Sequence, residues 1–466
     1  MDIKRLFRTK KVTNGLFCET ELKRCLNALD LTLFGIGAII GAGIFVLTGI
    51  AAATKAGPAI VFSFVLAGLA CAFSALAYAE LASAVGGCGS AYGYAYAGLG
   101  EIIAWVIGWD LILEYGVATP AVAIGWSGYF NNALTAANIH LPQCILSSFA
   151  ENAHGFINLP AAAVILLLML LLIIGVKAGA HFNAAMVAVK LFAIAVFIII
   201  AAGNINPANW NPFMPFGWKG VVGGASLIFF AYIGFDAVST AAEEALRPQR
   251  DVPIGILASL GICTLIYMLV SGLLTGIVPY QTLNVPSPVA EALLRIGYRW
   301  SSALIAAGAI AGLTTVMLVL YYGLTRIFLA MARDGLLPAF FSDVYPHTKT
   351  PVKIILTSGI LMALVAGFTP ISHVAELVNI GTLAAFTIVC LGVIIMKHTH
   401  PELKRPFRTP LNPLIPALGA AFCIYLMSGL PLITWLRFFI WLAIGLVIYF
   451  TYSQKHSLLE SNIDWR

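Results

Sequence analysis

The sequence is poor in charge: only 10% of its 466 residues are Asp, Glu, Lys or Arg, whereas a soluble domain has about 25%. Hydrophobic residues make up 60% of the chain. This composition excludes an ordinary soluble protein. Windows of about 20 apolar residues, the length that crosses a bilayer core, recur from Leu31 to Tyr452. The chain is therefore predicted to be an all-α protein that crosses the membrane several times.

Motifs of enzymes and metal sites are also missing. The sequence contains no C-x-x-C pair among its 8 cysteines, no H-E-x-x-H, no G-x-S-x-G and no P-loop lysine motif. We therefore expect no disulfide framework, metal, cofactor or catalytic residue. The N-terminal stretch MDIKRLFRTKK has no apolar core, so no secretory signal is predicted. The net charge of +6 is attributed to membrane topology rather than to a nucleic-acid partner.

The apolar windows divide the chain into about twelve spans, numbered 1 to 12. Their predicted limits are 30–54, 58–84, 101–133, 159–178, 182–203, 219–246, 253–279, 301–331, 352–369, 372–396, 413–430 and 433–452. Of the 26 Lys and Arg residues, 20 fall on the side of the N-terminus, 5 on the other side, and Lys190 within span 5. By the positive-inside rule, this bias predicts cytoplasmic N- and C-termini. The small, polar segment 87–100 is predicted to be a cytoplasmic connection.

Span 1 contains an unusual stretch, GIGAIIGAGIF (35–45), in which four of eleven residues are glycine. Glycine weakens a helix interior. At ~1.5 Å per residue, Gly41 lies roughly 16 Å deep, and segment 231–234 of the oppositely directed span 6 lies roughly 18 Å deep. Two weak points at one depth indicate an inverted-repeat transporter with broken helices. The alternative is that the glycines only permit close helix packing, but the matching depths favour broken helices.

Broken helices would offer backbone groups to a ligand. A break in span 1 would leave N–H groups at the positive end of a half-helix, which suits a carboxylate. A break in span 6 would leave carbonyl groups that suit an ammonium, so the pair predicts an α-amino acid. The candidate substrate-binding residues are Ile39, Ile40, Gly41, Ala42, Gly43, Ile44, Phe230, Ala231, Ile233 and Met317. Their apolar side chains favour small neutral amino acids, although packing is an equal alternative for Met317.

These segments resemble the amino acid–polyamine–organocation superfamily. GIGAIIGAGIFVLTG is similar to its first-helix signature. FFAYIGFDAVSTAAEEALRPQRDVPIGI and TRIFLAMARDGLLP resemble the sixth and eighth helices of its cationic amino acid transporter family. The resemblance covers almost the whole chain and implies a five-plus-five inverted repeat with broken helices 1 and 6. The implied divisions are an N-terminal segment (1–29), two repeats (30–203 and 204–396) and two extra helices with a tail (397–466). Eukaryotic members carry two further helices, so about twelve favours a bacterial member.

The resemblance further implies a secondary transporter in the plasma membrane that imports amino acids with protons by alternating access. Spans 1, 2, 6 and 7 would form the moving bundle. Cationic amino acids stay open as alternative substrates, and exchange stays open as an alternative mode. A channel or receptor has only weak support. The expected partners are an amino acid, protons and the lipid bilayer. A small single-span accessory subunit and sterol or lipid molecules are further candidates.

Ionisable residues inside the spans are candidates for proton coupling. Lys190 lies roughly 12 Å into span 5. Resembled proton-coupled members have a lysine on helix five, where sodium-coupled relatives bind an ion; the alternative is a structural lysine bonded to carbonyls of the first break. Glu114 shares one face of span 3 with Asp110, and it either lines the cavity, relays protons or is a satisfied packing acid. Glu243 and Glu244 suggest an inner gate or, more simply, a solvated charge cluster.

Overall fold

The computed structural model describes residues 7–9, 24–85, 89–136, 139–147, 155–285, 287–369, 371–428, 430 and 432–461. Cys18, Cys88, His154 and the basic residues Lys4, Arg5, Lys10, Lys11, Lys23 and Arg466 lie outside these ranges. Within the described ranges the regular structure is helical, and β-pairing is limited to isolated bridges, Leu26 with Ala245 and Tyr345 with Thr350. The predicted all-α class is confirmed.

The described residues contain the twelve predicted spans. Eight apolar stretches are long enough to cross a membrane, and one of them, Ala28–Ala84, comprises spans 1 and 2; three shorter apolar helices are spans 4, 9 and 11. The uninterrupted spans are Ile60–Ala84 (2), Glu101–Ala136 (3), Leu159–Ile174 (4), Val176–Ala202 (5), Pro248–Ile277 (7), Arg299–Arg333 (8), Val352–Phe368 (9), Ile371–Thr399 (10), Leu414–Ser428 (11) and Leu432–Ile448 (12). Span 12 continues as a π-helix, Tyr449–Ser453, and a last turn, Gln454–His456. Short helices Ala91–Gly98, Pro288–Arg295 and Leu458–Ser461 lie outside the spans.

Span 1 is interrupted near its middle. It begins with a capping box, in which the Asn27 side chain accepts from the N–H groups of Leu29 and Asp30 while Asp30 accepts from Asn27 N–H at 3.0 Å. The α-helix Ala28–Ile39 ends where Ile40 takes an extended conformation (φ −77°, ψ 99°). The chain then resumes in three short pieces, Gly43–Leu47, Thr48–Ala51 and Ala52–Ala56, of which the first and last are π-helices.

Span 6 is interrupted as well. The α-helix Gly217–Ile228 tightens into a 3₁₀ turn, Phe229–Tyr232, and resumes as a 3₁₀ helix, Asp236–Glu244. Between these pieces Gly234 adopts φ +116°, in the region of φ that side chains rarely tolerate. The Asp236 carboxylate accepts from the N–H group of Gly234 at 3.2 Å, which ties the start of the resumed helix to the interruption before it. The expected breaks in spans 1 and 6 are confirmed.

The spans form two packed groups. Span 7 packs against spans 1 and 2, and span 2 packs against the first half of span 6. Span 3 packs against spans 8 and 10, and span 9 packs against spans 3 and 4. We call the first group (spans 1, 2, 6 and 7) the bundle and the second (spans 3, 4, 8, 9 and 10) the scaffold. The assignment of spans 1–5 and 6–10 to two inverted repeats stays a prediction.

Two features extend the sequence prediction. The segment 87–100 contains the buried helix Ala91–Gly98, whose Tyr92 hydroxyl donates to Asp334 at 2.7 Å, so this connection is packed into the protein. Span 12 is held to span 3 by stacked indoles. The rings of Trp109 and Trp441 lie 4.4 Å apart, and each indole N–H donates to the backbone carbonyl of the other residue, at 2.9 and 3.1 Å. Trp105 adds a third indole, which stacks on Trp109 with the ring centroids 5.7 Å apart.

Candidate substrate site at the helix breaks

A cavity of about 310 Å³ lies between the bundle and the scaffold. It is lined by Ala42, Val46, Leu47, Ala121, Val122, Gly125, Tyr129, Leu227, Phe230, Leu313 and Asn379. Val46 and Leu47 follow the break in span 1, and Leu227 precedes the break in span 6, so the cavity lies on the side of the breaks away from the start of span 1. Its volume is at the small end of ligand pockets, which suits a small metabolite.

The two breaks touch each other at Gly43. A Cβ atom on Gly43 would lie 2.4 Å from Cα of Ala231, closer than any real contact allows. Gly43 therefore serves helix packing, the alternative considered for the glycine stretch, while the helix is also broken three residues earlier, at Ile40. Both interpretations of the stretch hold, because the glycine brings the breaks of spans 1 and 6 into contact.

The break in span 1 leaves donors open. The N–H groups of Ala42, Gly43 and Ile44 have no backbone hydrogen bond among the described residues, as expected for the start of a helix. The carbonyls of span 6 are less open than predicted. Phe230 O accepts from Ile233 N–H at 3.3 Å. The Tyr267 hydroxyl lies 2.9 Å from Ala231 O.

Tyr267 belongs to span 7 and bridges the two breaks. Its hydroxyl lies 2.7 Å from Ile39 O in span 1 and 2.9 Å from Ala231 O in span 6. A hydroxyl carries one proton, so the two carbonyls share a single donor and one of them retains acceptor capacity. The sequence analysis missed Tyr267, because a tyrosine in an apolar span gives no sign of a partner more than 200 residues away.

The structure divides the predicted pocket residues into two sets. Ala42 and Phe230 line the cavity, whereas Ile39, Ile40, Gly41, Gly43, Ile44, Ala231, Ile233 and Met317 are absent from its described lining. Met317 is fully buried, and Leu313, one helical turn earlier in span 8, contacts the cavity in its place. Tyr129 and Asn379 also line it and were not predicted, because one aromatic or amide residue in an apolar span is common.

Lys190 is fully buried, and its ammonium reaches the break in span 1. Nζ lies 2.9 Å from Ile36 O, 3.1 Å from Gly37 O and 2.9 Å from Ile40 O. A fourth oxygen, Thr315 Oγ1 of span 8, lies 2.9 Å away. Lys190 thus joins span 5 to the end of the first half of span 1 and to span 8. The structural and the coupling interpretations both require this contact, so the geometry is compatible with either.

A group of buried carboxylates lies beside the break in span 6. The Tyr115 hydroxyl donates to Asp236. Neither carboxylate oxygen of Glu114 has a hydrogen-bond partner among the described residues, and neither does Oδ1 of Asp110. Glu114 is 1% exposed and does not line the cavity. The interpretations of Glu114 as a proton relay and as a packing acid both stay predictions. An isolated buried carboxylate is expensive when ionised, so a proton or water is expected there.

The face at the start of span 1 is closed by a buried ion pair. The Arg326 guanidinium of span 8 donates to Glu244 Oε1 at 2.6 Å, and both side chains are at most 2% exposed. The Tyr322 hydroxyl also donates to Glu244. The backbone carbonyl of Glu244 accepts from the N–H groups of Cys25 and Leu26, at 2.9 and 3.0 Å. For Glu244, the expectation of a solvated charge cluster is wrong, because the end of span 6 is covered by span 8 and by the segment before span 1.

Comparison with known proteins identifies the class. Residues 26–460 match the model of the amino acid permease family. A methylthioribose transporter of Bacillus subtilis (strain 168) is 49% identical, over 98% of this chain and 99% of its own length. The branched-chain amino acid permease BcaP of the same organism is 47% identical, over 98% and 99%. Human cationic amino acid transporter 4 is 31% identical, over 94% and 88%. The chain belongs to the amino acid permease family, in the amino acid–polyamine–organocation superfamily; it is a multi-pass membrane transporter and not an enzyme.

Proposed function

We propose that this transporter imports small neutral amino acids with protons by alternating access. The observation that carries the proposal is the apolar cavity beside the touching breaks of spans 1 and 6. The open N–H groups of Ala42, Gly43 and Ile44 would receive the substrate carboxylate at the start of the resumed helix. The carbonyls that share the Tyr267 hydroxyl would receive the ammonium.

The lining of the cavity favours a neutral substrate. None of its described residues is acidic, so no side chain there would pair with a cationic substrate side chain. The branched-chain permease supports this class by similarity. The methylthioribose transporter is equally similar over the whole chain, which makes a small thioether sugar the second candidate substrate. Cationic amino acids and an exchange mode stay as alternatives.

Lys190 is proposed to carry the coupled proton. As an ammonium it would hold the first half of span 1 against spans 5 and 8 through three carbonyls. After loss of the proton, a neutral amine keeps two donors and gains a lone pair, to which the Thr315 hydroxyl would then donate. The hydrogen bonds from Lys190 to span 1 would weaken, and the bundle could then move relative to the scaffold. Glu114 is the second candidate, because its carboxylate is buried within span 3.

The membrane arrangement is also a proposal. Both termini are placed in the cytoplasm and the protein in the plasma membrane, because the basic residues favour the side of the N-terminus. The closed face at Glu244 is then cytoplasmic, and the cavity lies on the external side of the breaks. A single-span accessory subunit and bound sterol remain predictions from the sequence.

Uptake into proteoliposomes tests the function. L-alanine, L-valine, L-arginine and methylthioribose would be offered with and without an inward proton gradient. We expect accumulation of the neutral amino acids above equilibrium only with the gradient. Accumulation of L-arginine but not of L-alanine would show that the substrates are cationic amino acids and not neutral ones. Uptake that requires amino acid inside the proteoliposomes and does not depend on the proton gradient would establish exchange.

The role of Lys190 needs variants of its own. Lys190→Ala and Lys190→Arg should both lose gradient-dependent accumulation, since alanine carries no proton and arginine does not release its proton in proteins. Lys219→Ala, at the exposed start of span 6, is the matched control and should transport normally. Full accumulation by either Lys190 variant would remove Lys190 from the mechanism and leave Glu114 as the candidate.

A further inference from the structure

We propose that Gly125 of span 3 sets the size of the apolar group that the cavity admits on its ligand, either a branched aliphatic side chain or a methylthio group. This inference rests on the proposed function, because it concerns the same cavity. The helix breaks would hold the ammonium and carboxylate that all α-amino acids share, and Gly125 would act on the part in which they differ.

Gly125 belongs to a stripe of span 3 that faces the cavity. The members of this stripe, all of which line the cavity, are Ala121, Val122, Gly125 and Tyr129. Because residues four positions apart share one face of a helix, a side chain on Gly125 would point into the cavity between Ala121 and Tyr129. Gly125 is itself partly exposed, whereas Ala121 and Val122 are 5% and 4% exposed, so there is open space beside Gly125.

Helix packing does not account for Gly125. Apart from its chain neighbours and the backbone of its own helix, no atom of the described residues lies within 4 Å of the place that a Cβ atom on Gly125 would take. Gly108 of the same span differs, because a Cβ atom there would lie 2.7 Å from Met331 Sδ. Gly108 therefore permits the close approach of two helices, which is the usual role of glycine in a membrane span, and Gly125 does not.

Backbone conformation does not account for Gly125 either. Span 3 is α-helical from Glu101 to Ala136, and Gly125 is not among the glycines with positive φ. The proline within this span, Pro120, crowds the carbonyl group four residues before it and so requires no glycine at position 125. Inside a helix, glycine is less stable than alanine. A glycine kept at a position that faces the cavity therefore indicates that the missing side chain leaves room for a ligand.

The room beside Gly125 suits an apolar group. Its neighbours one turn earlier, Ala121 and Val122, are apolar, and so is Leu313 of span 8 in the same lining. A charged group would lack a partner there. A change of one methylene group in an apolar pocket alters discrimination between ligands by about 10–200-fold. Since Gly125→Ala adds one carbon atom and Gly125→Val adds three, the two variants should fill the room in steps.

The test is equilibrium ligand binding and thermal unfolding of the purified full-length protein in detergent. The probes are L-alanine, L-valine and methylthioribose, and the variants are Gly125→Ala and Gly125→Val. The matched controls are Gly128→Ala and Gly128→Val. Gly128 lies in the same helix, is exposed and likewise has open space at its Cβ position, but it is outside the described lining of the cavity.

We expect Gly125→Ala to bind L-alanine normally and L-valine about tenfold or more weakly, with a further loss in Gly125→Val. A loss for L-valine assigns the room to an aliphatic side chain, and a loss for methylthioribose assigns it to a methylthio group. The ligand-free Tm of Gly125→Ala should be maintained or higher, because alanine favours a helix and its methyl group meets open space. Both Gly128 variants should bind every probe normally.

Three results would overturn the inference and leave the proposed function standing: equal losses for L-alanine and L-valine, wild-type affinity of Gly125→Val for L-valine, or a Tm that falls in Gly125→Ala and not in Gly128→Ala. A wild-type protein that binds L-alanine alone would do the same. A wild-type protein that binds methylthioribose and no amino acid would overturn the proposed function, while weaker methylthioribose binding by Gly125→Val would still support the role of Gly125. A wild-type protein that binds none of these probes would overturn both.

Discussion

Replacing Arg326 with methionine tests whether its buried ion pair with Glu244 keeps the face at the start of span 1 closed. Nη2 of Arg326 lies 2.6 Å from Glu244 Oε1, and its guanidinium lies 4.4 Å from the centre of the Tyr322 ring. Removing one partner of a buried pair costs about 3–5 kcal/mol, because the other charge stays unpaired in a poor solvent. At ~1.4 kcal/mol per tenfold change, the closed state loses a factor of more than a hundred in relative population.

The penalty applies only while Glu244 is buried. In the proposed cycle the face at the start of span 1 opens, and water then reaches this carboxylate. Arg326→Met should therefore shift the protein toward the open state as well as lower its Tm. Cys25 reports the opening, because it is partly buried and its N–H group bonds to Glu244 O at 2.9 Å. Cys144 is exposed and serves as an internal reference.

The assay is the rate of maleimide labelling in detergent, with Cys18 and Cys88 replaced by serine. Arg326→Met should speed labelling of Cys25 at least tenfold and leave Cys144 unchanged. The double variant Glu244→Met with Arg326→Met removes both charges and should return the Cys25 rate toward the wild-type value. Unchanged Cys25 labelling in the single variant, or faster labelling in the double variant, would refute this reasoning.

Four further substitutions give distinct outcomes. Gly43→Val should prevent uptake, because its side chain would collide with Ala231. Overpacking should also lower the free energy of unfolding by about 1–3 kcal/mol and so lower the Tm; a wild-type Tm would contradict this contact. Tyr267→Phe should lower stability by about 1–3 kcal/mol and raise KM for uptake, because a shared donor is lost at both breaks. Leu313→Ala should improve uptake of L-leucine relative to L-alanine by about 1–3 kcal/mol. Met317→Ala, away from the described lining, should lower the Tm and preserve that ratio.

The sequence predicted the spans and the breaks because both depend on local properties. A bilayer demands about 20 apolar residues in each span, so the boundaries follow from hydropathy, and a glycine at matched depth marks each break. The candidate site could be predicted only in part. The Lys190 charge stands out in an apolar span, whereas the difference between Met317 and Leu313 depends on helix rotation, which an apolar sequence without clear amphipathicity does not reveal.

Contacts between distant spans lay beyond sequence reasoning for a physical reason. The Tyr267 hydroxyl joins two backbone carbonyls, and every residue has a carbonyl, so no residue type marks its partners. Glu244 resembles a surface charge at the end of a span. Its burial depends on span 8 and on the segment at Leu26, which covers it from another part of the chain.

The indole stack between spans 3 and 12 gives the protein an optical signature of its own. Trp105, Trp109 and Trp441 account for three of the 9 tryptophans, and their rings form a continuous stack with centroid spacings of 5.7 and 4.4 Å. Indoles at this spacing couple electronically, so they produce an exciton band in the far-ultraviolet circular dichroism spectrum that well-separated tryptophans lack. The band reports whether span 12 stays attached to span 3. Its intensity can therefore be followed during detergent extraction without any label.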